Sequence, residues 1–138
     1  MIIDGTDLIM GRLGTVVAKK ALLGEEVHVV NAEKVVMTGQ PKKILESFEA
    51  ARRRGAPLVG PYFPKTPERI VKRMIRGMLP YKKPRGRAAF EKIKCHVGVP
   101  EEFKSEKLET IQSANIHKTH AKYVSVKEIS KVLGARVE

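Results

Sequence analysis

Arg69, Lys72, Arg73 and Arg76 repeat at intervals of three and four residues, so on a helix they share one face, with no acidic side chain among them. Like charges at that spacing repel and cost helix stability unless anions are brought to them. The chemistry open to such a row is the neutralisation of phosphates, which releases condensed counter-ions and favours nucleic-acid binding without reading any base. The same residue types gather nearby: Arg52, Arg53 and Arg54 in a row, Lys65 beside Tyr62 and Phe63, then Lys82, Lys83, Arg85 and Arg87. Residues 42–94 hold 16 Lys or Arg against 4 Glu and no Asp, while the rest of the chain carries 11 basic and 11 acidic side chains; the whole formal charge of +12 lies in that one stretch. A chain so divided is suited to meet a polyanion along one side, and nucleic acid is the first expectation.

Other reactive residue types are poorly placed for chemistry. Cys95 and His96 are neighbours on a strand-like segment, so their side chains point to opposite faces and do not form a nucleophile and base pair. His117 and His120 are spaced to share a metal ion, yet no further Cys, His or acid stands near enough in the sequence to complete a tetrahedral site. Residues 11–14, Gly-Arg-Leu-Gly, with Glu33 further on, faintly suggest a dinucleotide site. They lack the G-x-G-x-x-G order, and Asp4 and Asp7 would oppose a pyrophosphate. The glycines there read better as close-approach positions, and Arg12 as an anion contact. No metal or other cofactor is expected.

The elements that must carry these residues follow from periodicity. The chain has 138 residues, one domain's worth, and its 42% apolar content supports a core. Aromatic residues make up 5% with no Trp, so base stacking is not expected to be the main binding device. A single Cys excludes an internal disulfide and fits a reducing compartment, and no leader or membrane-spanning run is expected. Ile2 and Ile3, an amphipathic stretch over residues 13–23, and Val27, Val29 and Val30 read as strand, helix, strand with parallel strands and a right-handed crossover: an α/β class. Pro41 suits the start of a second helix with Ile44, Leu45 and Phe48 inward. Four prolines within residues 55–67 leave an extended loop, whose Tyr62 and Phe63 suit packing into RNA or a neighbouring protein. Thr66, Pro67 and Glu68 open a helix by a capping hydroxyl, a preset φ and a favourable charge, with Ile70, Val71, Met74, Ile75 and Met78 on its inner side. Pro80 ends that helix, Pro84 and Gly86 shape a turn, and a short helix covers residues 87–92. Ile93, Cys95, Val97 and Val99 alternate as a strand ending before Pro100; residues 101–122 read as a polar, partly ordered arm. Ser125 to Glu128 is a capping box before a closing helix that ends at Gly134.

The run RGMLPYKKPRGRAA over residues 76–89 resembles the large-subunit ribosomal protein L13 family. The similarity reaches back through Gly60, Pro61, Tyr62 and Phe63 and through Val29, Val30, Asn31, Ala32, Glu33 and Lys34 to Gly11, Arg12 and Leu13, and forward to residues 97–100. The Arg- and Pro-rich stretch over residues 52–67 is more similar to the archaeal and eukaryotic branch; Tyr81 stands where many members carry His. The resemblance implies a single domain over residues 1–138, three-layer α/β/α around a four-stranded, mainly parallel sheet, with a basic RNA-facing region over 42–94; the arm over 104–123 matches the family least. It implies a cytoplasmic, non-enzymatic constituent of the large ribosomal subunit that binds its rRNA and supports early assembly. Its partners would be that rRNA and neighbouring ribosomal proteins, with no membrane and no small-molecule substrate, and Mg²⁺ only as associated with the RNA. Arg12, Lys34, Arg52, Arg53, Arg54, Tyr62, Lys65, Arg69, Lys72, Arg73, Arg76, Lys82, Lys83, Arg85 and Arg87 are then the expected RNA-binding residues. Two rival classes remain: an RNA-modifying or nucleotide-dependent enzyme, which needs a pocket near residues 11–14, and an RNA-binding translational regulator acting away from the ribosome.

Overall fold

Strand β1 (Ile2–Asp4) pairs in parallel with β2 (Val27–Val30), which pairs in parallel with β4 (Ile93–Cys95), giving the order β1-β2-β4. The computed structural model describes residues 1–136, and residues 137 and 138 of the expected single domain lie outside them. The register sets Ile3, Val29 and Cys95 side by side on one face and Ile2, His28 and Lys94 on the other. Cys95 and His96 thus part to opposite faces, as strand alternation requires.

The first face is covered by helices. Helix α1 (Met10–Leu22) contributes Leu13, Val17 and Ala21 to the core, and Gly24 ends it at φ 97°, a conformation that glycine adopts without a Cβ penalty. Helix α3 (Pro67–Arg76) contributes Ile70, Val71 and Ile75, each worth about 1.5–3 kcal/mol when fully buried. Helix α4 (Pro84–Glu91) adds Ala89. On the opposite face Phe103 lies against His28 and His96, with ring centroids 4.8 and 5.7 Å away.

The α/β class holds, but the expected four-stranded sheet is three strands plus a single bridge. Glu109 donates its N–H to Ile2 O and accepts from Asp4 N–H, sitting beside β1 where a fourth strand would lie. The pairing is confined to that one residue, and a 3-10 turn follows at Gln112–Ala114. A separate antiparallel pair, β3 (Val36–Thr38) with β5 (Tyr123–Ser125), has no counterpart in the sequence expectations. It leads directly into α5 (Val126–Val132), where Ser125 Oγ accepts from Glu128 N–H as the capping box requires. Helix α2 (Pro41–Arg53) packs Phe48, Ile44 and Leu45 inward as expected.

Other boundaries move. Strand β4 stops at Cys95 because Gly98 takes φ 65° and its N–H turns to Glu33 Oε2; Val97 is left exposed. Helix α4 begins at Pro84, not Arg87, because proline suits the first helical position. Gly86 therefore lies inside the helix, buried against the preceding turn, where a Cβ would overlap the Pro80 carbonyl. Thr66 has the backbone of a cap, yet its hydroxyl is buried without a partner, so α3 starts on Pro67 and Glu68 alone. The 104–123 arm is packed along the body: Ala114 and Ile116 are buried, Ile9 N–H donates to Ala114 O, and Ile116 N–H donates to Asp7 O. Among the described residues no helix is long and apolar enough to cross a membrane.

Candidate nucleic-acid interface

Of the expected 55–67 loop, residues 55–66 contain no helix or ladder strand and Pro67 opens α3; the loop tip is a turn in which Val59 and Gly60 N–H both donate to Ala56 O. Gly55 and Gly60 take φ of 81° and 89°, and a Cβ at Gly55 would overlap the Gly60 carbonyl, so the turn closes only with glycine there. One aromatic anchors the loop and its neighbour does not. Phe63 packs edge-on against Phe48 at 5.7 Å and joins the core, which corrects the expectation that it is free to meet a partner. Tyr62 remains 69% exposed.

Two open grooves flank Tyr62. One, of about 340 Å³, is lined by Arg69, Lys72 and Arg73 of α3 with Tyr62, Phe63 and Pro64. The other, of about 430 Å³, is lined by Arg52, Arg53 and Arg54 at the end of α2, by Lys65, and by the loop itself. The fold thus unites the Arg cluster, the loop and the α3 face, which are separate in sequence, into one concavity without a carboxylate in its lining.

Among the described residues, basic side chains come within ion-pair distance of carboxylates in three pairs: Lys20 with Glu25, His28 with Glu26, and His117 with Asp7. None involves residues 42–94, so among the described residues no Lys or Arg of that segment is held in an ion pair.

The α3 face is less uniform than its spacing implies. Lys72 Nζ lies 4.7 Å from the centre of the Phe90 ring, and the Arg76 guanidinium 4.6 Å from that of Tyr81. Arg76 Nε is buried without a hydrogen-bond partner. Both side chains are half-buried, whereas Arg69 and Arg73 are exposed. Cation–aromatic contact explains the difference: the ring quadrupole attracts a cation that the fold has already begun to desolvate.

The remaining expected residues fall into separate groups. Lys82 and Lys83 are exposed in the turn between α3 and α4, and Arg87 Nε donates to Tyr81 O. Arg85 lies away from Tyr62, lining a groove with Lys19, Leu22, Leu23 and Met78. That groove was not expected, because Met78 by its spacing belongs to the inner side of α3 yet is 37% exposed, as is Leu23 at 71%. Arg12 Nη1 donates to Ser113 O, which ties the arm to α1 and engages part of its guanidinium inside the protein. Lys34 is exposed beside Asp4. Burial alone would raise the Asp4 carboxyl, but hydrogen bonds from Asn31 and Thr6, with Lys34 nearby, hold it below the usual range.

Residues 11–14 form no cradle. Gly14 is packed so that a Cβ would fall 2.7 Å from Met78 Sδ, a helix-to-turn close approach, and Gly11 faces open space. His117 pairs with Asp7 at 3.2 Å, and among the described residues no three metal-binding side chains converge. Burial pushes the Cys95 thiol up to about 12, so it is a protonated, unreactive group packed against the core.

A family model described as ribosomal protein L13 matches residues 1–102. The large ribosomal subunit protein uL13 of Methanosarcina barkeri is 46% identical over 137 residues, covering 98% of each chain. That of Archaeoglobus fulgidus is 44% identical over 137 residues, covering 98% of this chain and 88% of its own. That of Methanocaldococcus jannaschii is 41% identical over 140 residues, covering 98% of each.

Proposed function

Since the chain belongs to the ribosomal protein L13 family, we propose that it is a structural constituent of the large ribosomal subunit, not an enzyme, and that it binds large-subunit rRNA. The carrying observation is that, among the described residues, no ion pair involves the basic 42–94 segment, together with the convergence of its Arg cluster, loop and α3 face around Tyr62. Uncompensated guanidiniums destabilise the free protein by mutual repulsion, and phosphates are the anions that match their planar donor forks.

Arg52, Arg53, Arg54, Lys65, Arg69 and Arg73 would take phosphates around the loop; Lys82, Lys83 and Arg87 would do so at the turn before α4, and Arg85 on the α1 side. Lys72 and Arg76 would act from their aromatic seats, Arg12 and Lys34 from beside the arm. Readout of double-stranded regions would be by shape and backbone, since the RNA major groove is too narrow for side chains. The four-stranded form expected of the family would be the same body with the Glu109 bridge extended along β1. The reading needs no cofactor, and Mg²⁺ at the interface would belong to the RNA. Its setting is the ribosome of the cytoplasm, with neighbouring ribosomal proteins as further partners and a part in early assembly.

Sedimentation of the endogenous protein tests this. Comigration with the large subunit, lost when high salt strips the particle, is the expected result; a pool confined to free or mRNA-bound fractions contradicts it.

A further inference from the structure

We propose that the two grooves beside Tyr62 form a receptacle for one unpaired nucleotide of the RNA, its base stacked on the Tyr62 ring and its flanking phosphates held from both sides. This rests on the rRNA-binding reading and adds to it a point of local recognition. Three observations carry it.

Tyr62 is an open ring within the basic segment. Phe90 is occupied by Lys72 and Tyr81 by Arg76, whereas Tyr62 has neither a cation nor another ring against it among the described residues, although it lines both cationic grooves. An exposed ring costs solvation that a stacked base recovers.

The backbone that carries the ring is also braced without any ligand. Phe63 is fixed against Phe48, the Ala56–Gly60 turn is closed by hydrogen bonds, and the Tyr62 ring runs beside Gly60 so closely that a Cβ there would lie 3.3 Å from it. A platform already ordered loses little entropy on binding.

Finally, charge surrounds the ring without occupying its loop. Residues 55–64 carry no charged side chain, while Arg52, Arg53, Arg54 and Lys65 border one groove and Arg69 and Arg73 the other. A continuous duplex keeps its bases stacked inside and offers the ring no base face; an unstacked base with a phosphate on either side satisfies ring and cations together.

The test compares a paired RNA stem with the same stem carrying one unpaired 2-aminopurine, titrated with the full chain. The bulged stem is expected to bind about 5- to 150-fold more tightly, the equivalent of about 1–3 kcal/mol for one stacked base, with quenching of the 2-aminopurine fluorescence. Tyr62→Leu should abolish the preference and the quenching; Tyr62→Phe should keep both. Equal binding of the two stems by the wild type, or an undiminished preference in Tyr62→Leu, overturns the inference. Arg52→Gln, Arg53→Gln and Arg54→Gln together separate the two readings: if they lower the salt slope while the stems stay indistinguishable, the nucleotide receptacle fails and rRNA binding stands. An unchanged slope sinks both.

Discussion

Replacing Arg52, Arg53, Arg54, Arg69 and Arg73 together with Gln removes five exposed cations that line the concavity and, among the described residues, have no carboxylate partner. Each neutralised phosphate contributes about 0.7–0.9 to the slope of log K against log salt, so the variant should lose about 3.5–4.5 from that slope. Between about 50 and 200 mM salt the wild type should therefore shed about 100- to 500-fold more affinity for an rRNA fragment than the variant does. Filter binding or fluorescence anisotropy across a salt series measures it directly. Lys72→Gln and Arg76→Gln serve as the internal contrast. Because their side chains rest on Phe90 and Tyr81, each should alter the slope by less than a full phosphate equivalent. Each should instead lower folding stability by about 0.5–2 kcal/mol. A five-fold variant with an unchanged slope, or a Lys72 and Arg76 pair that accounts for most of it, would refute the assignment of the exposed arginines as the phosphate contacts.

Gly86→Ala should destabilise the protein by about 1–3 kcal/mol despite improving helix propensity, since the new methyl meets the Pro80 backbone carbonyl and not a movable side chain; a thermal melt lowered by several degrees is the readout. His96 is buried first by its surroundings and then faces His28, both of which hold its pKa below the ordinary 6.5, with Glu102 pulling up and Lys94 down. The unfolded chain therefore binds that proton more readily, so the His96 contribution to stability is complete above about pH 6.5 and falls as pH drops through the window beneath it. Urea unfolding at pH 7.5 and 5 should show this loss, reduced in His96→Gln. With its thiol raised to about 12, Cys95 should react slowly with a disulfide reagent at pH 8 in the folded protein and at the ordinary rate in guanidinium; a rapid folded-state reaction would contradict its burial.

What was legible in the sequence was local. Helix α1 and strand β2 declare themselves because their apolar residues recur at helical spacing or cluster as a buried run, and α3 because its two faces differ in charge. Strands β3 and β5 are three residues each and pair across most of the chain, so nothing in either segment marks it as a strand before the fold delivers its partner. The arm reads as loose for the same reason: Ala114 and Ile116 are two apolar residues in a polar stretch, fixed by main-chain bonds to Ile9 and Asp7 that leave no periodic signature.

The site divides likewise. Charge segregation pointed to the basic segment, yet which cations are free depends on rings that other elements supply. Phe90 of α4 claims Lys72, and Tyr81 curls back to claim Arg76. Arg85 is carried to the α1 side because Pro84 starts the helix earlier than its neighbours suggest.

The most direct measurement is a high-resolution structure of the assembled large subunit containing this chain. The guanidiniums of Arg52, Arg53, Arg54, Arg69 and Arg73 should stand within about 2.7–3.2 Å of rRNA phosphate oxygens. If they face bulk water, with the RNA held by another surface, the electrostatic account is wrong.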